Sequence, residues 1–189
     1  MIQCRSARPI AIAYATRAGS TREVAHYIGN IFLQHGKRVD VLDVKAVKHP
    51  EQYAALVLGT NIRAGQVMPE ILRFAQHNAA WMVSLPKAYF VVCGTLRTDT
   101  PDTRAIVEAY LEPLVRISPP LSKGLFAGRI DPQTMDLPWR LILKSITEGS
   151  MTPGDFRRWD LIRAWAESVI KLLEQGPALA GTASQTASV

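Results

Sequence analysis

Short strand-like segments that alternate with helical patterns constrain the fold of this chain more than any other feature. Residues 9–14, 54–59 and 88–93 are apolar throughout, residues 38–43 alternate, and residues 123–128 form a fifth short run. Continuous apolar runs of this length are typical of strands buried on both faces. The alternation predicts an α/β fold with a doubly wound, five-stranded parallel sheet. Right-handed crossovers favour the strand order 2-1-3-4-5.

Helical periodicity follows the first strand. Apolar side chains recur on one helix face at Val24, Ile28, Ile31 and Phe32. Ser20 and Glu23 have the spacing of a capping box, and Gly36 is a predicted stop. Further helices are predicted over residues 69–75, 101–114 and 156–174, and Asp99 and Asp102 are expected to cap or begin the second of these.

The chain divides into one domain and its extensions. Its 189 residues suffice for a single buried core. We expect an N-terminal extension over residues 1–8, the domain over 9–175 and a disordered Ala/Ser/Thr/Gly-rich tail over 176–189. Residues 129–153 break the rhythm with two prolines and form an insertion that follows the start of the fifth strand.

Charge and composition exclude several classes of protein. The formal net charge is +6, but the basic residues are spread out, which favours an anionic small molecule over nucleic acid. No apolar run reaches the roughly 18 residues of a membrane helix, and no secretory signal is evident. Two cysteines exclude a disulfide framework, and the four histidines lack metal-ligand spacing. We expect a cytoplasmic protein without a metal.

The loop over residues 16–21 has the composition of an anion site. It places the hydroxyls of Thr16, Ser20 and Thr21 and the flexible Gly19 at a helix start, where backbone N–H groups are free. It lacks both the Gly-Lys-Ser/Thr of a nucleotide P-loop and the G-x-G-x-x-G of dinucleotide sites, so a single phosphate monoester fits best. An ordinary helix start is the alternative. The predicted loops 60–66 and 94–100 leave the same edge of the sheet.

Four segments resemble one known family. Residues 14–25, Tyr-Ala-Thr-Arg-Ala-Gly-Ser-Thr-Arg-Glu-Val-Ala, resemble the phosphate loop of the flavodoxin family, which binds FMN. Residues 57–65, 137–144 and 155–160 resemble its menaquinone-dependent protoporphyrinogen oxidase branch, in which an insertion distinguishes the domain from ordinary flavodoxins.

The resemblance implies an FMN site. The phosphate would be held by Thr16, Arg17, Ala18, Gly19, Ser20 and Thr21. One side of the flavin ring would be flanked by Asn61, Ile62, Arg63, Ala64 and Gly65. The other would be lined by Gly94, Thr95 and Leu96. Neither ring loop contains the stacking aromatic residue usual in flavodoxins, which predicts modest affinity and an open ring face.

The resemblance also implies a reaction. Protoporphyrinogen IX would be oxidised to protoporphyrin IX in heme biosynthesis, with a quinone as electron acceptor. No side chain stands out as a general base, so the catalytic candidates are Arg63 and Arg97 near the flavin. The substrate propionates would face Arg63, Arg97, Arg129, Arg140 and Lys144. Alternatives are an electron-transfer protein, which the basic charge disfavours, and an NAD(P)H:quinone reductase.

The remaining expectations concern packing and partners. Residues 137–144 are either a helix packed on the domain, a lid over the flavin, or a peripheral contact with the inner face of the cell membrane. The sequence leaves a monomer and a homo-oligomer both open. Cys93 is expected to be a buried small apolar residue, and Trp159 and Trp165 to serve packing. Arg157 and Arg158 are expected to form a solvated face.

Overall fold

The fold is an α/β sandwich, seen in a computed structural model. The structure describes residues 8–131 and 153–175. Its strands are β1 (Ile10–Tyr14), β2 (Val39–Asp43), β3 (Ala55–Arg63), β4 (Gln66–Val67), β5 (Lys87–Cys93), β6 (Ser122–Ala127), β7 (Arg129–Ile130) and β8 (Gly154–Asp155). Its α-helices are α1 (Ser20–Gln34), α2 (Pro69–His77), α3 (Ala79–Ser84), α4 (Pro101–Ile117) and α5 (Trp159–Gln175). Short 3-10 turns cover Val44–Ala46, Pro50–Gln52 and Gly94–Arg97.

The central sheet has the predicted strand order. Its path is β2-β1-β3-β5-β6, and all neighbours on this path are parallel. Tyr14, at the end of β1, pairs with Asp43 on β2 and Gly59 on β3. Counting only these five strands in chain order, the arrangement is 2-1-3-4-5, so the predicted fold is confirmed. The order in which strands are added to the sheet reverses beside β1, because β2 lies on one side of it and β3 on the other. A reversal of this kind places a crevice at the carboxyl ends of β1 and β3.

Helices cover both faces of the sheet. Side chains along a strand alternate between the two faces, so each buried strand contributes to two layers of the core. Ala11 and Ala13 of β1 face one helical layer, and Ile10 and Ile12 face the other. The first layer is α2 and α4, which contribute Ile71, Phe74, Val107, Leu111 and Leu114 to the core. The second is α1 and α5, which contribute Val24, Ile28, Ile31, Phe32, Ile162, Ala166 and Val169.

The region expected as a polar loop over residues 60–66 is instead a β-hairpin, which corrects that prediction. β3 continues to Arg63, and Ile62 pairs antiparallel with Val67 on β4. Ala64 and Gly65 form the two-residue turn, with φ of 49° and 72°. Positive φ at both central positions is the geometry that suits a tight hairpin.

The prediction of a capping box at the first helix was wrong. Gly19 is the N-cap of α1, with φ of 90°, and the side chains of Ser20 and Glu23 form no such box. The box occurs at α4 instead. There the Thr100 side chain accepts a hydrogen bond from the Thr103 N–H, and the Thr103 side chain accepts one from the Thr100 N–H.

The end of α1 follows the prediction. Gly36 has φ of 71°. Its N–H donates to the Leu33 carbonyl at 2.9 Å, and the Lys37 N–H donates to the Phe32 carbonyl at 3.0 Å. This pair of bonds is the Schellman arrangement, which requires a residue that tolerates positive φ. Gly36 therefore ends the helix as expected.

The tryptophans of α5 serve packing, as expected. Trp165 lies against Phe126 with ring centroids 5.6 Å apart, and its Nε1–H donates to the Ser122 Oγ at 2.9 Å. Trp159 lies against Tyr27 of α1 with centroids 4.7 Å apart. These contacts fasten the last helix both to β6 and to α1.

A small antiparallel ribbon marks the place of the predicted insertion. β7 pairs with β8, with Arg129 opposite Asp155. Residues 132–152, which include the stretch 137–144 with Arg140 and Lys144, lie outside the described residues, as do residues 1–7 and the expected tail 176–189. Among the helices that the structure describes, none is long and apolar enough to cross a bilayer.

Candidate functional site

The three predicted site loops converge at one edge of the sheet. Residues 16–21 follow β1, residues 61–65 form the end of β3 and its turn, and residues 94–96 follow β5. β1, β3 and β5 are adjacent and parallel, so their carboxyl ends lie side by side. The crevice predicted from the strand order is thus bordered by all three segments.

The loop over residues 16–21 presents free backbone donors. The Gly19 N–H donates to the Thr16 Oγ1 at 3.1 Å, which closes the turn before α1. The first helical hydrogen bond joins the Glu23 N–H to the Gly19 carbonyl at 3.1 Å. Helix geometry therefore leaves the N–H groups of residues 20–22 without an intrahelical acceptor. Such a helix start attracts an anion through these donors and the helix dipole.

Buried polar atoms without partners cluster at the same edge. In the parts of the chain that the structure describes, four buried side-chain N or O atoms lack a hydrogen bond, and three of them are Thr21 Oγ1, Asn61 Oδ1 and Glu70 Oε2. Thr21 is only 1% exposed. Buried polar atoms are nearly always hydrogen-bonded in folded proteins. Partnerless atoms at the first turns of α1 and α2 and at the end of β3 fit a site whose polar contacts come from a ligand.

Glu70 of α2 forms an ion pair with Arg17, which lies in the loop over residues 16–21. Its Oε1 lies 2.9 Å from an Arg17 guanidinium nitrogen and 3.6 Å from the Lys45 Nζ. Burial alone would raise the pKa of the Glu70 carboxyl. A backbone hydrogen bond and the neighbouring cations Arg17, Lys45 and Arg73 outweigh burial, so the pKa lies below its ordinary value. Glu70 is therefore ionised at neutral pH and holds Arg17 beside the loop.

The hairpin turn packs against an aromatic side chain that the sequence analysis did not single out. A Cβ added at Gly65 would lie 3.3 Å from the Tyr110 Cε1, so the Tyr110 ring packs directly against the turn. Tyr110 belongs to α4. No local signal in the sequence links it to Gly65, because the two meet only through the packing of α4 on β4.

The third loop offers open space next to a buried anchor. A Cβ added at Gly94 would meet no atom within 4 Å, and Thr95 is exposed. Leu96, by contrast, is 3% exposed and belongs to the core, so its side chain fixes the loop on the domain. Cys93 is buried as expected, and burial raises the pKa of its thiol, which makes it a poor nucleophile.

Arg157 is the most prominent residue of this region that the sequence analysis misjudged. Its side chain is 5% exposed, not solvated. It donates to both Asp155 carboxylate oxygens, at 2.7 and 2.6 Å, and to the Glu23 Oε2 at 2.6 Å, while lying 4.6 Å from the Trp159 ring centroid. Arg158 does match the expectation, since its side chain is 64% exposed. The hydrogen bonds from Arg157 also lower the pKa of Asp155.

A comparison with protein families decides the wider identity of the domain. A family profile described as "Flavodoxin domain" matches residues 11–156, more than half of the chain. The chain belongs to the flavodoxin-domain family. Family and fold together indicate FMN as the cofactor of this flavodoxin-domain protein. The free donors at residues 20–22, the partnerless Thr21 Oγ1 and the open space at Gly94 fit a phosphate-bearing, planar ligand.

Solved flavodoxins share this fold. Oxidised flavodoxin 1 from Bacillus cereus superposes with a TM-score of 0.55 at 14% identity, covering 86% of this chain and 97% of that one. Oxidised flavodoxin 2 from the same organism gives 0.53 at 17% identity, covering 87% and 99%. At such low identity the likeness concerns the fold alone.

One curated relative gives a more specific likeness. The chain is 30% identical over 105 residues to "Protoporphyrinogen IX dehydrogenase [quinone]" from Escherichia coli strain K12. The match covers 53% of this chain and 58% of the length of that protein.

Proposed function

We propose that this flavodoxin-domain protein is an FMN-dependent oxidoreductase that oxidises protoporphyrinogen IX to protoporphyrin IX and passes the electrons and protons to a quinone. The observation that supports this is the 30% identity over 105 residues to the dehydrogenase of Escherichia coli. Bound FMN supplies the two-electron redox chemistry, and the chain supplies binding, orientation and charge.

The proposal places the FMN phosphate at the start of α1. The N–H groups of residues 20–22 would donate to it, and the Thr21 Oγ1 would gain the partner that it otherwise lacks. Gly19, with φ of 90°, allows the backbone to turn its donors toward one point. Thr16 keeps its hydroxyl on the Gly19 N–H and thereby holds the loop in shape.

The proposal places the flavin ring between the hairpin and the loop after β5. Asn61, whose Oδ1 is buried without a partner, is the polar group available on the hairpin side, together with Ile62, Arg63 and the turn at Ala64 and Gly65. Gly94 and Thr95 border the other side, where a Cβ would find open space at Gly94. No aromatic side chain occurs in either segment, so a planar substrate can approach the ring closely.

Basic residues around this edge suit a substrate with carboxylates. Arg97 is exposed beside Gly94, and Arg63 lies on the hairpin. Together with the net charge of +6, these cations favour an anionic porphyrinogen over a neutral substrate.

Turnover with a quinone tests the proposal. The FMN-loaded protein, kept free of oxygen, is mixed with protoporphyrinogen IX and a water-soluble menaquinone analogue, and protoporphyrin is followed by its fluorescence. We expect protoporphyrin to form much faster than with the same concentration of free FMN. A rate equal to that of free FMN overturns the assignment. If NADH replaces protoporphyrinogen IX and is oxidised rapidly with the same quinone, the NAD(P)H:quinone reductase is favoured instead.

A further inference from the structure

An acidic residue lies in the first turn of the phosphate-loop helix. Glu23 is the residue whose N–H forms the first hydrogen bond of α1, so its carboxylate is one turn from Gly19. A carboxylate there favours the helix dipole. A phosphate dianion bound at residues 20–22 would be repelled by the same charge, because both anions occupy one helix start.

Two arginines surround that carboxylate. Arg157 donates to the Glu23 Oε2 at 2.6 Å, and an Arg129 guanidinium nitrogen lies 3.8 Å from the Glu23 Oε1. The Arg157 side chain is 5% exposed and the Glu23 side chain is 38% exposed, so solvent screens their interaction in part. Arg129 is about one-third exposed and also approaches Asp131 at 3.6 Å, so its charge is shared.

These arginines come from the ribbon that brackets residues 132–152. Arg129 lies on β7, and Arg157 follows β8 by two residues. Asp155 binds the Arg157 side chain through both carboxylate oxygens and accepts a hydrogen bond from the Arg157 N–H at 3.1 Å. The guanidinium is therefore fixed from its own segment, and its third nitrogen, Nη1, donates to Glu23, 134 residues earlier.

We propose that Arg157 is a positioning residue for the cofactor phosphate, which binds at the start of α1 only because Arg157 neutralises and holds the Glu23 carboxylate there. The ribbon and the phosphate loop are thereby coupled through one ion pair, in which the arginine is buried and the Glu23 side chain is 38% exposed. This inference rests on the phosphate position proposed above and is independent of the substrate.

The test compares FMN with riboflavin, which has the same ring but no phosphate. Affinities of the full chain for both flavins are measured from the quenching of flavin fluorescence. We expect Arg157→Met to weaken FMN binding by about tenfold, as expected for loss of a partly buried charge contact, and riboflavin binding by less than about twofold. Adding Glu23→Gln to Arg157→Met should restore most of the FMN affinity, because the repelling charge is then gone.

Arg158→Met is the matched control. It removes the same charge at the next position, from a side chain that is 64% exposed and pairs with Asp160. We expect it to change FMN affinity by less than about twofold. Arg157→Lys keeps the charge and should retain most of the FMN affinity. If Arg157→Met does not fold, Arg157→Lys is the variant in which the two flavin affinities are measured.

Three results would overturn the inference. They are an equal loss of FMN and riboflavin affinity in Arg157→Met, an unchanged FMN affinity in that variant, and an equal loss in Arg158→Met. If the unaltered protein binds FMN no better than riboflavin, the phosphate position itself is wrong. Protoporphyrin formation tests the proposed reaction separately, so the two failures are distinguishable.

Discussion

At the scale of single residues, the two glycines that flank α1 allow an effect on cofactor binding to be distinguished from an effect on stability. Gly19 and Gly36 flank the helix with φ of 90° and 71°, and a Cβ at either would meet no atom within 4 Å. Alanine at each position should cost about 1–2 kcal/mol of stability, because L-residues disfavour this region. Only Gly19→Ala should also weaken FMN binding, since Gly36 lies at the opposite end of α1.

Urea unfolding and flavin titration of both variants provide the measurement. Gly36→Ala controls for the backbone strain, which the two changes share. Equal FMN affinities in the two variants would contradict the phosphate position proposed for residues 16–21.

Lys87 gives the chain a pH dependence of known sign. Its side chain is 5% exposed, its Nζ donates to the Pro119 carbonyl at 3.4 Å, and burial lowers its pKa. Between that lowered pKa and the ordinary lysine value, the unfolded chain binds more protons than the folded one, so stability rises with pH. Lys87→Met should therefore be more stable than the unaltered protein at neutral pH, by a margin that narrows as the pH rises.

The free energy of unfolding of both proteins, measured in urea from pH 7 upward, checks this. Tyrosine and cysteine ionisation affects both proteins alike and cancels in the difference. A margin that does not change with pH would show that Lys87 titrates at its ordinary pKa in the folded state.

Arg157 illustrates where residue-level prediction fails. Arg157 and Arg158 are identical in type and adjacent in sequence, yet one is 5% and the other 64% exposed. The difference arises from Glu23 and Trp159, which reach only one of the two side chains. A contact with a residue 134 positions away leaves no periodic or local signal in the sequence.

At the scale of elements, the position of the capping box has a measurable effect. Thr100→Ala removes the acceptor for the Thr103 N–H at the start of α4 and should cost about 1 kcal/mol. Ser20→Ala should cost the cofactor-free protein much less, because the Ser20 side chain does not cap α1. Thermal unfolding of both variants without flavin is the measurement. A larger loss in Ser20→Ala would restore the box first expected at α1.

Strand order was predictable and strand ends were not. Apolar runs report burial on both faces, and a sheet built from them has few right-handed arrangements. The extension of β3 through Asn61 to Arg63 escaped prediction because polar side chains there indicate a loop, whereas the backbone pairs with β5 and β4. The turn Ala64-Gly65 also lacks the Asn-Gly or Asp-Gly that signals a hairpin. The three segments predicted to form the site do end at one edge of the sheet, whereas their contact with a flavin stays a prediction.

At the scale of the whole molecule, net charge predicts how ionic strength affects turnover. If the proposed function is right, a chain of +6 would attract the dianionic porphyrinogen, and salt would screen that attraction over about 8–10 Å. We expect kcat/KM for protoporphyrinogen IX to fall as sodium chloride rises from low to physiological concentration. The dimethyl ester of the same substrate, which lacks the negative charges, is the control and should show little change. A flat salt response for both substrates would argue against a cationic substrate approach.

The meeting of the first and last helices has a consequence for biosynthesis. β1 and the loop after it are translated early, but the inner face of α1 packs against α5, and the Glu23 carboxylate pairs with Arg129 and Arg157, which lie late in the chain. A nascent chain that ends before residue 157 lacks both α5 and the Arg157 guanidinium, so α1 has neither that packing partner nor that cation. If the phosphate binds at the start of α1 as proposed, we expect flavin loading to follow the translation of α5.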